Sequence, residues 1–162
     1  MANSPIEAVK IAVGAILGGV TDLASVKSAP AHLMFGQDEA GKINPITLPD
    51  AYPGSVYSIL ERDTKLIAFR DGFGGGMRRY LLSVAIATYA TSPSSGVDPD
   101  DAQNEAFRLA HLIDIAMIDS WDYPGVGTEP FRLESMDRIP GDATLSGVTQ
   151  IFNTEYSIEK HP

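Results

Sequence analysis

Residues 77–91 constrain the fold of this chain most strongly. Tyr80, Leu82, Val84 and Ile86 alternate with Leu81, Ser83, Ala85 and Ala87, and successive side chains of a strand point to opposite faces. Both resulting faces are fairly apolar. Such a strand belongs in the middle of a sheet, covered on one side by helices, with a neighbouring subunit as a candidate cover for the other. The chain has 162 residues, below the length at which chains usually divide, which sets the expectation of a single α+β domain over 1–162.

The segments around this strand read as a helix, an arm, further strands, a helix and a hairpin. Ser4 fits an N-cap, Pro5 the first helical position and Glu7 the third, so a helix should start there. Ile6, Val9, Val13, Ile16, Leu17, Val20 and Leu23 recur at spacings of three and four and give one wide apolar face to an N-terminal helix whose section is 1–28. Gly14, Gly18 and Gly19 weaken it, which calls for close packing or a break near Gly18. Its ten-residue apolar run, 11–20, is too short to span a bilayer and reads as a helix of a folded domain.

Residues 29–54 contain four prolines and three glycines without a sustained period. They read as a long irregular arm able to reach a neighbour, or as a surface loop with a short strand at 46–48. Two strands are expected at 55–61 and 65–70. After the Ser/Pro loop at 91–96, Asp98-Pro99-Asp100-Asp101 supplies a cap, a first-turn proline and two acids, predicting a helix over 99–120. Its core face would hold Ala102, Ala106, Leu109, Leu112, Ile113, Ala116 and Met117. The chain should close with a hairpin, strands at 130–138 and 146–159 joined through Pro140-Gly141-Asp142. The fold class is therefore α+β, an antiparallel or mixed sheet with two main helices packed on one face, plus the arm.

Charge and composition narrow the function. With 21 acidic and 12 basic side chains the net charge is −9, so the averaged surface repels phosphate and does not favour tight binding to nucleic acid. A negative lining would still let DNA slide past. The absence of cysteine removes disulfides, thiol nucleophiles and zinc–thiolate sites, and favours folding inside a cell.

No motif supplies catalytic chemistry. Gly72-Phe-Gly-Gly-Gly76 lacks the Gly-Lys-Ser/Thr of a phosphate loop and precedes a strand, so it reads as a hairpin turn. That turn makes Phe73, Arg78 and Arg79 candidate contacts with a partner, since exposed aromatic and arginine side chains often anchor interfaces. Asp98 to Asp101 lacks the ligand spacing of a calcium loop. His111 and Asp114 are three apart on a helix, with no nucleophile implied, and read as a surface pair. His32 lies in the arm and His161 near the end of the sequence, so three metal ligands are not expected to converge. Glu129, Glu134, Asp137 and Asp142 read as solvated charges. Trp121 and Tyr123 fit a cap of the helix against the sheet, or an exposed anchor. No catalytic residue, metal site or cofactor is expected. An enzyme site between Arg70, Arg78, His111 and Asp114 is the alternative from another class.

Three segments carry a family resemblance: the helix Ala106-Phe-Arg-Leu-Ala-His-Leu-Ile-Asp-Ile-Ala-Met117, the strand Phe131-Arg-Leu-Glu-Ser-Met136, and the closing strand Gly147-Val-Thr-Gln-Ile-Phe-Asn-Thr-Glu-Tyr156. In pattern and order, over about residues 60–159, they resemble the tail-terminator proteins of long-tailed bacteriophages. The resemblance implies a structural subunit of a ring, commonly a homohexamer, seated on the last ring of the tail tube and facing the neck of the capsid. Its partners would be copies of itself, the tail-tube protein and a neck or connector protein, with DNA passing through the lumen without tight binding and no membrane involved. The location would be the virion, after synthesis in the host cytoplasm. The arm departs from the family pattern. Another neck component, such as a head-completion or connector protein, or a tail-tube protein fits the same features.

Overall fold

The computed structural model of the chain describes residues 5–23, 27–28, 35–37, 43–45, 55–72, 75–91, 100–119, 131–139 and 145–160. Helix α1 spans Pro5–Gly18 and a 3-10 turn follows at Thr21–Leu23. Strands β1 (Lys27–Ser28), β2 (Phe35–Gln37) and β3 (Ile43–Pro45) precede the long strands β4 (Val56–Gly72) and β5 (Gly75–Thr91). Helix α2 (Asp101–Asp119), β6 (Arg132–Ile139) and β7 (Leu145–Lys160) complete the order. Five strands form one sheet in the order β1-β4-β5-β7-β6, antiparallel throughout except for the short parallel pairing of β1 with β4. The α+β class and the mixed sheet are as expected, with the 77–91 strand at its centre.

Both helices lie on one face of the sheet. α1 covers β4 and β5, α2 covers β5 and β7, and the helices touch each other. The core between them contains Val9, Val13, Leu17, Leu109, Ile113 and Met117 from the helices, and Ile59, Leu82, Val84, Ile86, Val148 and Phe152 from the sheet. All seven residues expected on the core face of α2 are buried except Leu112, which is half-buried against the cluster.

A buried polar rail fixes how α2 sits. Ser146 donates its hydroxyl to Gln103 Oε1 at 2.6 Å, Gln103 Nε2 reaches the Gly147 carbonyl at 3.4 Å, and Gln150 Nε2 donates to the Ala110 carbonyl at 2.9 Å. Buried polar groups favour the registers that pair them. Sliding α2 by a turn would break all three contacts.

Several expectations change. The first helix stops at Gly18, where Gly19 donates back to the Ala15 and Ile16 carbonyls, so it does not fill the section to residue 28, where β1 lies. A Cβ at Gly14 would meet only Ile59 Cδ1, at an ordinary 3.8 Å, so the break and not close packing answers the glycines. The strands expected at 55–61 and 65–70 are one 17-residue strand. The charged stretch between them contains a register shift between Glu61 and Asp63, and a second shift lies between Leu66 and Ala68, because a bulge absorbs an extra residue without ending the ladder. The arm is not wholly irregular, since β2 and β3 pair antiparallel within it. The strand proposed at 46–48 lies outside the described residues.

The second face of β5 also differs from expectation. Ser83, Ala85, Ala87 and Tyr89 are at most 6% exposed within the single chain, so the centre of this face needs no neighbouring subunit. Across it Ser83 donates to Asn153 Oδ1 at 2.6 Å. Arg62 of β4 lies 3.6 Å from Glu134 of β6, two strands that are separated by β5 and β7. Tyr89 pairs with Gly147, and a Cβ there would come within 3.1 Å of the Tyr89 ring, 3.1 Å of Ile139 Cδ1 and 2.9 Å of the Thr88 carbonyl. Glycine is required by this close approach.

Burial pushes the Tyr89 phenol from its ordinary 10 up to about 12. The folded chain holds the neutral phenol while the unfolded chain ionises it. The resulting stabilisation is complete below pH 10 and is lost as pH rises toward about 12. In an absorbance titration Tyr89 should ionise near pH 12, a lag beyond the ordinary 10. Tyr89→Phe should abolish the lag and Gly147→Ala, by displacing the ring, should shorten it; a lag that survives Tyr89→Phe contradicts the assignment.

Candidate interaction surface

The strands of the sheet are longer than the helices that cover them. At about 1.5 Å per residue the 19 residues of α2 reach about 28 Å, whereas at about 3.3 Å per residue the 17 residues of β5 reach about 55 Å. α2 is held at its amino end by Ser146 and further along by Gln150, so it runs in the direction of β7. Burial on β5 is continuous from Leu82 to Ala90, and the residues from Gly76 to Leu81 are half-buried or exposed. The far part of the β4–β5 hairpin, flanked by the end of β7, overhangs the core.

This overhang is apolar and basic. Leu66 is 45%, Ile67 41% and Phe69 65% exposed. The hairpin register places Leu66 opposite Tyr80, Ala68 opposite Arg79, Phe69 opposite Arg78 and Arg70 opposite Met77. By strand alternation Leu66, Phe69, Arg78 and Tyr80 share the helix-bearing side. The Arg78 guanidinium lies 5.6 Å from the centre of the Phe69 ring, within cation–π range, and donates to the Met77 carbonyl at 3.2 Å. Arg79 pairs with Glu155 at 3.4 Å. Lys65 and Arg70 are exposed. Exposed ion pairs like these add little to stability, while the Phe69–Arg78 stack presents a flat, preorganised surface of the kind that anchors interfaces.

Of the contacts expected from the sequence, the structure places Arg78 and Arg79 on this overhang. Phe73, Trp121 and Tyr123 lie outside the described residues; the hairpin register on either side of Phe73 pairs Gly72 with Gly75. Leu66, Ile67 and Phe69 were not singled out by sequence reasoning. Counting back from the glycine turn would have set Phe69 against Arg78.

His111 is exposed on α2 and Asp114 half-buried, while Arg70 and Arg78 sit on the hairpin. Glu134 and Asp137 are exposed on β6. Glu129, Asp142, His32 and His161 lie outside the described residues. Among the described residues no three His, Asp or Glu side chains gather as a metal-binding group, and no helix is long and apolar enough to cross a membrane. No protein-family model matches the chain, and comparison with curated proteins gives no match.

An overhang that is surface and not core can lose its aromatic ring cheaply. Phe69→Ser should change the free energy of unfolding by less than about 1 kcal/mol, whereas Phe152→Ala, from the core, should cost about 3–5 kcal/mol. Urea denaturation of the two variants checks this. A cost at Phe69 equal to that at Phe152 would make the overhang part of the fold's own core.

Proposed function

We propose that the chain is a structural ring subunit of a phage tail or neck, similar to a tail terminator, which caps the tail tube, stops its growth and presents a surface for head attachment. The observation that carries this reading is the overhanging hairpin, where apolar and basic side chains project beyond the helices and stay exposed. Exposed apolar surface of this kind marks a contact with another molecule.

The order of helix, long hairpin, helix and closing hairpin supports the same reading, because it agrees with the pattern that carries the tail-terminator resemblance. The chain acts by assembly and not by catalysis. Its net charge of −9 suits a ring through which DNA passes without adhering. A ring of six copies would bring each weak contact to the tube six times over, so that modest individual affinities add to a firm cap. The location is then the virion, at the junction of tail and neck.

Negative-stain imaging of the chain mixed with growing tail-tube protein tests this. Closed rings should appear on tube ends and tube lengths should stop increasing. Long tubes made of the chain itself would instead identify a tube protein. A chain that stays monomeric and leaves tube growth unchanged would contradict the assembly reading.

A further inference from the structure

We propose that the tip of the β4–β5 hairpin of one copy seats on the outward face of α2 of a second copy, near the carboxyl end of that helix. The inference rests on the assembly reading above and names the two surfaces that meet.

The two surfaces are complementary in charge. Residues 62–79 carry Arg62, Lys65, Arg70, Arg78 and Arg79 against Asp63 and Asp71, a local charge of +3, which leaves −12 for the rest of a chain whose total is −9; Arg62 and Arg79 are paired with Glu134 and Glu155, while Lys65 and Arg70 are exposed. Over Asp101–Asp119, α2 carries Asp101, Glu105, Asp114 and Asp119 against Arg108, a local charge of −3. Arg108 is already committed to Glu105 within the helix, with contacts of 2.9 and 2.6 Å. The acids nearest the carboxyl end are Asp114 and Asp119, and the last turn holds no basic residue. The negative end of the helix dipole adds to this local field, so a cation brought there by a neighbour is stabilised.

They are complementary in apolar surface as well. Phe107, Ile115 and Ile118 are 40%, 42% and 59% exposed. With His111 they follow one another at spacings of four, four and three, which keeps them on one face of the helix. Asp114 and Asp119 flank that stripe. On the hairpin, Ile67 and Phe69 are exposed on β4, and the exposed Lys65 and Arg70 lie beside them along the same strand, projecting to the side away from Phe69. An apolar strand segment that carries two exposed cations thus meets an apolar helix stripe that carries two acids. A nucleic acid would be attracted to the basic tip but has no use for the acidic helix face.

Because the two patches differ, each copy that donates its tip still offers its helix to another. Such head-to-tail contacts close into rings when the rotation between copies allows it, which is the geometry a ring subunit needs.

The chain has no cysteine, so single cysteines report contacts cleanly. Ile67→Cys on the tip and His111→Cys on the stripe keep Phe69, Arg70, Ile115, Ile118 and both acids. Mixed and oxidised, these two variants should form the mixed disulfide about tenfold faster than either variant forms a disulfide alone, since docking raises the effective concentration of the two thiols. Adding Arg70→Asp to the tip variant, or Asp119→Arg to the helix variant, should slow the mixed disulfide, and combining both should restore it. A chain carrying both cysteines should give a ladder that ends in a closed ring. A mixture no faster than its components, or a doubly substituted chain that gives only dimers, overturns the head-to-tail contact. Rings seen on tube ends without preferential mixed disulfide overturn the contact and leave the assembly reading standing. Mixed disulfides and a ladder in a chain that leaves tubes uncapped keep the contact and overturn the terminator reading.

Discussion

The difference between the rise of a strand and the rise of a helix organises this molecule. A residue of β5 advances the chain about twice as far as a residue of α2, so helices of 14 and 19 residues cannot roof strands of 16 and 17. The ladder of β4, β5 and β7 is continuous to the hairpin end, with Gly72 opposite Gly75 and Gly76 opposite Lys160. Backbone pairing therefore carries the sheet past the limit of the apolar core. Side chains beyond that limit contribute little to folding and are available for contact.

Which end overhangs is decided by the polar rail. Gln103, Ser146 and Gln150 tie α2 to β7 at fixed positions, and the helix then covers the half of the sheet that holds Val148 and Phe152. The opposite face is closed by other means. Small side chains on β5, the Tyr89 ring against Gly147 and the Arg62–Glu134 bridge occupy it within one chain. Apolar surface left for partners is thereby concentrated on the hairpin tip and on the outward side of α2.

Much of this was legible in the residues. The alternation from Tyr80 to Ala87 placed the central strand, and the Asp98-Pro99 cap with its apolar spacing placed α2 within two residues at its start. The closing hairpin was legible from the turn residues and from Val148, Phe152 and Tyr156. Less visible was the continuity of β4, because the charged residues Glu61, Arg62 and Asp63 break the apolar period while the backbone ladder passes through them by a bulge. β1 has two residues, and β2 and β3 have three each, too few for any period to appear. Arg78 and Arg79 stood out beside the glycines. Leu66 and Phe69 did not, since a sequence pattern shows that a strand has an apolar side but not where its covering helix ends. The second face of β5 was open to two readings, because the alternation of Ser83, Ala85 and Ala87 does not tell cover by a neighbour from the burial they have within the single chain.

Beyond Leu82 the hairpin is folded backbone without a core of its own, and in the proposed reading another molecule completes it. Backbone hydrogen exchange resolved along the chain measures this directly, in the free chain and in its assembled form. The amides of 66–70 and 77–80 should exchange much faster than those of 82–90 in the free chain, and slow sharply on assembly while 82–90 stay as they were. Equal protection of the two stretches in the free chain, unchanged on assembly, would contradict it.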